Sequence, residues 1–223
     1  LTANMASIEA VSMTIATGSY NLKNDSSLDA VSTQTITGGT FTLDDSEMGG
    51  DEGVYISDGT FTLKNDSEIA TNGFENAPDV NISGGKFTFN SAHILSRTED
   101  ERKGSITISG GNLTFNKGLI GAYNYSDNES ETQEGGNIAI SGGTITFNGG
   151  SSIHSEKFWD ESKGILSNTI LADNISLSGD AVMNISKGAT LQTVSNLYME
   201  DDYMDFEEAP SSLTISENAT LNL

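Results

Sequence analysis

Cysteine is missing altogether, and basic residues, aromatics and long apolar runs are scarce; each shortage closes off a class of protein. Without cysteine there is no disulfide framework and no thiolate metal site, although the compartment stays open because many secreted bacterial β proteins also lack it. Lysine and arginine number 10 against 32 aspartates and glutamates, for a formal charge of −22. No basic stripe exists to meet phosphates, so nucleic acid is excluded as a partner, and adsorption to an anionic membrane is disfavoured. No stretch approaches the roughly 18 consecutive apolar residues of a membrane-spanning helix. Aromatics are 7% and hydrophobic residues 35% of the 223 positions, lean for a compact globule; with 24 glycines, the choice narrows to disorder or a repetitive β scaffold. The sequence starts at Leu1 with neither an initiator Met nor a signal peptide and stops on a strand-like NLNL. It therefore reads as a segment of a longer protein, one domain over residues 1–223.

What is present is a repeat, and its regular alternation argues against disorder. An isoleucine or leucine opens each unit, at Ile15, Ile36, Ile56, Ile82, Ile108, Ile140, Leu177 and Ile215, with spacings that grow from 20 to 38 residues. A second run follows: FTL at Phe41–Leu43 and Phe61–Leu63, FTF at Phe87–Phe89, LTF at Leu113–Phe115 and ITF at Ile145–Phe147. A third run carries Leu28, Met48, Ile69, Ile94, Ile120, Ile153 or Leu191. Apolar residues alternating with hydroxyl residues give the period of two that marks a strand with one buried face. A single unit cannot stand alone, because ordering about 20 residues costs more than four or five apolar side chains return. Stacked units supply the missing hydrogen bonds and a continuous core. The expected fold is all-β: a single-stranded parallel β-helix of about eight coils, three short strands per coil, with lateral loop insertions in the later coils.

Turn residues mark the corners. Gly38-Gly39, Asp58-Gly59, Gly84-Gly85, Gly110-Gly111 and Gly142-Gly143 sit at one corner, where a positive φ is expected. Asn90, Asn116 and Asn148 occupy the next, where asparagine tolerates the left-handed conformation and hydrogen-bonds its copies in adjacent coils. After the third run come insertions at Thr71–Asp79, Ser96–Gly104, Ala122–Gly136, His154–Asp173 and Gln192–Ser212. All five are expected to leave from one corner and emerge on one side of the rod, the usual place for specificity on a rigid scaffold.

Catalytic motifs are missing: no G-x-S-x-G, H-E-x-x-H or P-loop occurs. Strand positions read as Ser, Thr, Gly and Asn, with carboxylates placed mainly in the loops, so the paired strand carboxylates of a glycosidase are not expected. His93 and His154 fall in neighbouring third runs at unmatched positions. The chain is read as non-enzymatic, with no organic cofactor implied. For metal, the cluster Glu200, Asp201, Asp202, Asp205, Glu207 and Glu208 is a candidate for Ca²⁺, against the plainer reading of a solvated acidic face. Tyr123, Tyr125, Phe158, Trp159, Tyr198, Tyr203 and Phe206 are candidate ligand-binding aromatics in the insertions. Such rings stack on sugars; the competing explanation is that they pin each loop to the rod. Outward Thr40/Thr42, Thr60/Thr62 and Thr144/Thr146, with Thr88 and Thr114, form threonine ladders of the kind found on ice-binding solenoids, interrupted by Lys86 and Asn112.

The units Thr35–Leu43, Asn81–Asn90, Ser105–Asn116 and Asn137–Asn148 resemble the ISGGT-type repeats of bacterial surface β-helix proteins. Ala172–Leu191 and Leu213–Leu223 are especially similar to the passenger regions of autotransporter-type adhesins. A second similar family is the secreted carbohydrate-binding β-helix proteins with a pectate-lyase-like fold and bound calcium. The resemblance implies a right-handed solenoid, an extracellular or cell-surface location, and a surface glycan or protein on a host or neighbouring cell as partner. It assigns no residue to a site.

Overall fold

Alternating runs become strands here, and strict register holds them together. The computed structural model describes residues 1–73, 79–98, 104–124, 133–134, 136–148, 169–171, 174–185, 196–197, 212–215 and 218–222, and among these residues there is no helix. The runs that open each repeat build one eight-stranded sheet in chain order. Its strands are Met13–Ile15, Thr33–Ile36, Gly53–Ile56, Asp79–Ile82, Ser105–Ile108, Asn137–Ile140, Asn174–Leu177 and Ser212–Ile215. Along it Ile15 pairs with Ile36, then Ile56, Ile82, Ile108, Ile140, Leu177 and Ile215 follow in turn, every pairing parallel. The second and third runs build a twelve-stranded sheet, also parallel. The chain alternates between the two sheets and advances one strand each time, the pattern of a parallel β-solenoid. A separate two-stranded pair, Gln133–Glu134 with Asn196–Leu197, is antiparallel and lies outside both ladders.

Several expectations shift. The second and third runs are not separate short strands in most passes: Ser19–Ala30, Thr40–Gly50, Lys86–Thr98 and Asn112–Asn124 each run through both. The bend between the runs is made by left-handed residues, Asn24 and Asp25, Asp45, Asn65 and Asp66, Ser91 and Lys117. The left-handed position is thus one residue after Asn90 and Asn116. The asparagines themselves form the anticipated ladder, Asn116 Nδ2 donating to Asn90 Oδ1 (2.9 Å) and Asn148 Nδ2 to Asn116 Oδ1 (2.5 Å).

The insertions also begin later than expected. Thr71–Gly73, Ser96–Thr98 and Ala122–Asn124 are still strand, paired in register with one another. In the pass that starts at Ile140, the strand lying against Leu119–Gly121 is Thr169–Leu171, with Ile170 opposite Ile120; Ile153 does not hold that place. The long excursion of this pass therefore precedes the third strand, so it departs from a different corner than the chain does after Gly73, Thr98 and Asn124. Ile153 and Leu191 lie outside the described residues.

Two columns of side chains fill the core beneath the second runs. One is Phe41, Phe61, Phe87, Leu113, Ile145 and Met183; the other is Leu22, Leu43, Leu63, Phe89, Phe115, Phe147 and Ile185. Rings stack from Tyr20 through Phe41, Phe61 and Phe87 at centroid distances of 4.8, 4.6 and 4.5 Å. Stacking then resumes in the other column, Phe89 to Phe115 at 4.4 Å and Phe115 to Phe147 at 4.9 Å. Each buried ring contributes about 1.5–3 kcal/mol of transfer free energy, with more from the offset stacking.

The glycine pairs serve two purposes. A Cβ on Gly110 would meet the Ser83 carbonyl oxygen of the preceding pass at 2.3 Å, while Gly111 holds φ at +91°. The first glycine admits the neighbouring coil and the second turns the chain.

Candidate functional site

The outer face of the third runs gathers the chemistry. Residues that alternate with Leu28, Met48, Ile69, Ile94 and Ile120 point away from the core, and their register stacks them in two columns. One column reads Ser7, Ser27, Glu47, Glu68, His93, Leu119; the other reads Glu9, Asp29, Gly49, Ala70, Leu95, Gly121. Both begin polar or acidic and become apolar further along, where Leu95 and Leu119 are buried at 1% and 2% exposure. Besides the Ser, Thr, Gly and Asn expected at strand positions, the strands also carry the carboxylates Glu9, Asp29, Glu47 and Glu68.

A groove of about 280 Å³ opens between Glu9, Asp29, Glu47, Gly49, Asp51 and Asn72. Gly49 keeps its floor open: a Cβ there would lie 2.2 Å from the Ala70 carbonyl oxygen and 3.7 Å from Asp29 Oδ1. Burial, reinforced by the charges of Glu47, Asp51 and Glu9, pushes the Asp29 carboxyl up to about 6 against an opposing hydrogen bond with Ser27. Burial likewise raises Asp51, with the neighbouring charge of Glu52 adding to it.

A second groove, of about 340 Å³, runs along the left-handed corner and is lined by Asp25, Asp45, Glu47, Asp66, Glu68 and Arg97. Glu47 borders both grooves. Arg97 Nη2 donates to Glu68 Oε2 at 2.7 Å and its Nε to Asn72 Oδ1 at 2.8 Å. Burial raises the Glu68 carboxyl, and the Arg97 guanidinium opposes that rise. Beside Asp66 stands His93, 3% exposed, its Nε2 3.8 Å from Asp66 Oδ1 and neither ring nitrogen hydrogen-bonded among the described residues. Burial pushes this imidazole down to about 4, with Asp66 resisting and Arg97 adding to the shift.

The corner owes its shape to a short motif, Asn-Asp-Ser, at residues 24–26 and 65–67. Asn24 and Asp25, and again Asn65 and Asp66, all carry positive φ. The following serines are fully buried. Ser67 Oγ donates to the Lys64 carbonyl (2.6 Å) and accepts from the Ser46 amide (3.2 Å). Ser26 does the same with Lys23 (2.6 Å) and Ala6 (3.3 Å). Asn and Asp adopt this backbone more readily than other side chains, and Ser satisfies the amide left over by the bend.

Of the residues singled out from the sequence, Tyr123 has its backbone paired with Arg97. Tyr125, Phe158, Trp159, Tyr198, Tyr203 and Phe206 lie outside the described residues, as do Glu200, Asp201, Asp202 and Asp205, and His154. The threonine ladder is in register as expected: Thr42, Thr62, Thr88, Thr114 and Thr146 pair in succession. Asp29, Glu47 and Glu68 were missed, although the signal was available. Each sits one position from a recognised third-run apolar residue and so had to face outward.

No protein-family model, no curated protein and no solved structure matches the chain.

Proposed function

We propose that the chain is a right-handed parallel β-helix of about eight coils that serves as a non-enzymatic attachment rod, an adhesin segment on a bacterial cell surface or secreted from it. At about 4.8 Å per coil such a rod is roughly 35–40 Å long. Its partner is a glycan or protein on a host or neighbouring cell. The observation that carries this reading is the pair of acidic grooves sharing Glu47 on the outer face of the third runs. A rigid ladder that repeats carboxylates along one face presents many weak contacts at fixed spacing, which suits adhesion through multivalency. Gly73, Thr98 and Asn124 lie in register, so the chain leaves toward three of the insertions from one stacked edge beside these grooves. The acidic face also favours partners that bring cationic groups, or glycans bridged through Ca²⁺ in a calcium-dependent polysaccharide-binding module.

The test is binding of the chain to a glycan array and to whole cells, with and without EDTA, against a variant carrying Asp29→Asn, Glu47→Gln and Asp51→Asn. The expected result is retention by a defined set of surfaces and its loss in the triple variant. Equal binding by the variant would remove the grooves from the contact, and release of cleaved sugar ends would overturn the non-enzymatic reading.

A further inference from the structure

Next to Asp66, which lines the corner groove, stands one feature that surface attachment does not use. The His93 side chain is almost fully buried, yet neither ring nitrogen makes a hydrogen bond among the described residues. Buried polar atoms are ordinarily satisfied, so two buried ring nitrogens without a hydrogen bond set this side chain apart. Its Nε2 faces Asp66 Oδ1 at 3.8 Å, too far for a hydrogen bond. Two donors that each bind one ion at about 2.0–2.2 Å stand roughly 3.3–4 Å apart at tetrahedral or wider angles. The observed separation falls in that range.

We propose that His93 and Asp66 form a two-donor site for a borderline divalent metal ion of the Zn²⁺, Ni²⁺ and Cu²⁺ class, reached from the exposed Asp66 side that lines the corner groove. Imidazole nitrogen beside a carboxylate selects these ions over Ca²⁺ and Mg²⁺, which prefer all-oxygen shells. Glu68 is not counted as a third ligand because Arg97 already holds its carboxylate. Among the described residues no three ligand-type side chains stand together as a ready-made set. The ion would therefore complete its shell with water, or with a hydroxyl or carboxylate of a bound molecule. Asp25, Asp45 and Glu47 on the groove walls add a negative field that concentrates cations at the mouth. The site is independent of the adhesive reading, since it requires only the corner geometry.

The chain has two histidines, so histidine ring resonances report each one separately. Wild type, His93→Gln, Asp66→Asn and His154→Gln chains would be titrated with ZnCl₂ and, separately, with CaCl₂, following the imidazole ¹⁵N shifts and the heat of binding. Position 66 holds φ at 61°, which Asn tolerates, so Asp66→Asn keeps the corner and removes only the charge. The expected result is saturable one-to-one Zn²⁺ binding that moves the His93 resonances and is unaffected by His154→Gln or by equimolar Ca²⁺. It should be abolished in His93→Gln. In Asp66→Asn it should weaken by more than about tenfold, the loss that removal of even an outer-shell partner produces; this variant decides the matter should His93→Gln fail to fold. Zn²⁺ binding that survives in both site variants, that moves to His154, that Ca²⁺ displaces at equal concentration, or that never saturates overturns the proposal.

Discussion

Phe87 and Phe89 stand two positions apart on one strand with their rings 3° from parallel and 6.1 Å between centroids. Through that pair the aromatic stack crosses from one core column to the other. Below it Phe61 lies against Phe87, above it Phe115 lies against Phe89, and each ring is opposed on its other side by an aliphatic residue, Leu113 or Leu63. Phenylalanine in the two columns trades places with leucine, so the cross-section stays filled while the sequence of each column changes.

Phe89→Ala is expected to cost about 3–5 kcal/mol, because it opens a cavity at the crossing. Phe89→Leu should cost only about 1–2 kcal/mol, since it keeps most of the volume and loses the stacking on Phe115. Urea denaturation of both variants checks this. Equal costs would mean that the cavity adds nothing beyond the lost stacking, and a cost-free Phe89→Leu that the stacking adds nothing beyond volume.

Gly110→Ala should destabilise by more than about 2 kcal/mol, since the new methyl group collides with a backbone carbonyl that cannot yield without parting two coils. Gly111→Ala, strained by its positive φ, is expected to cost about 1–2 kcal/mol. Thermal melts rank the pair; a neutral Gly110→Ala would contradict the close approach of the coils at this corner.

Asp29 sets a pH dependence whose sign is fixed by its raised value. With a folded pKa of about 6 against the ordinary 3.8, the fold favours the protonated acid. That stabilisation is complete below about pH 3.8 and is lost as the pH rises through 6. Asp29→Asn removes the ionised form, so the variant should exceed wild type by about 1–2 kcal/mol at pH 8, the full shift being reduced by solvent screening at a half-buried site. The advantage should shrink by a similar amount by pH 4.5. Urea midpoints at the two pH values measure it, and an advantage of the same size at both would show an ordinary carboxylate.

Asn116→Ala breaks two rungs of the asparagine ladder at once, the bond it donates to Asn90 Oδ1 and the one it accepts from Asn148 Nδ2. The expected cost is about 1–2 kcal/mol, small because these amides are only partly buried and water replaces part of the loss. Amide exchange should quicken at Asn90 and Asn148 and stay unchanged at the distant Ile15; a uniform change would point to global destabilisation.

The ladder was legible because its register marks are single residues: once Ile82, Ile108 and Ile140 are aligned, every pairing along the first sheet follows. The bend between second and third runs was less so. Asn90 and Asn116 recur and drew the corner to themselves, whereas the left-handed residues Asp45, Ser91 and Lys117 share no side-chain type and are dictated by the backbone path. Ile153 misled for a related reason. It has the hydrophobicity and, 13 positions after Ile140, the spacing of a third-run residue; Ile170 lies 30 positions after Ile140, and only its pairing with Ile120 reveals the place. The groove carboxylates were hidden by composition, because 32 acidic residues make any one of them look like solvent-facing charge until register puts Glu47 beside both cavities.

Since each strand touches only the strands before and after it in the winding, nothing in the architecture fixes its length. Residues 82–107 span one repeat, from Ile82 to the residue before Ile108, and deleting them would bring Ile108 onto Ile56 with apolar core side chains still facing apolar ones, Leu113 on Phe61 and Ile120 on Ile69. The molecule is in that sense a ruler graduated in steps of about 4.8 Å. Gene duplication or loss of a single circuit would lengthen or shorten its reach by one graduation without redesigning any other part.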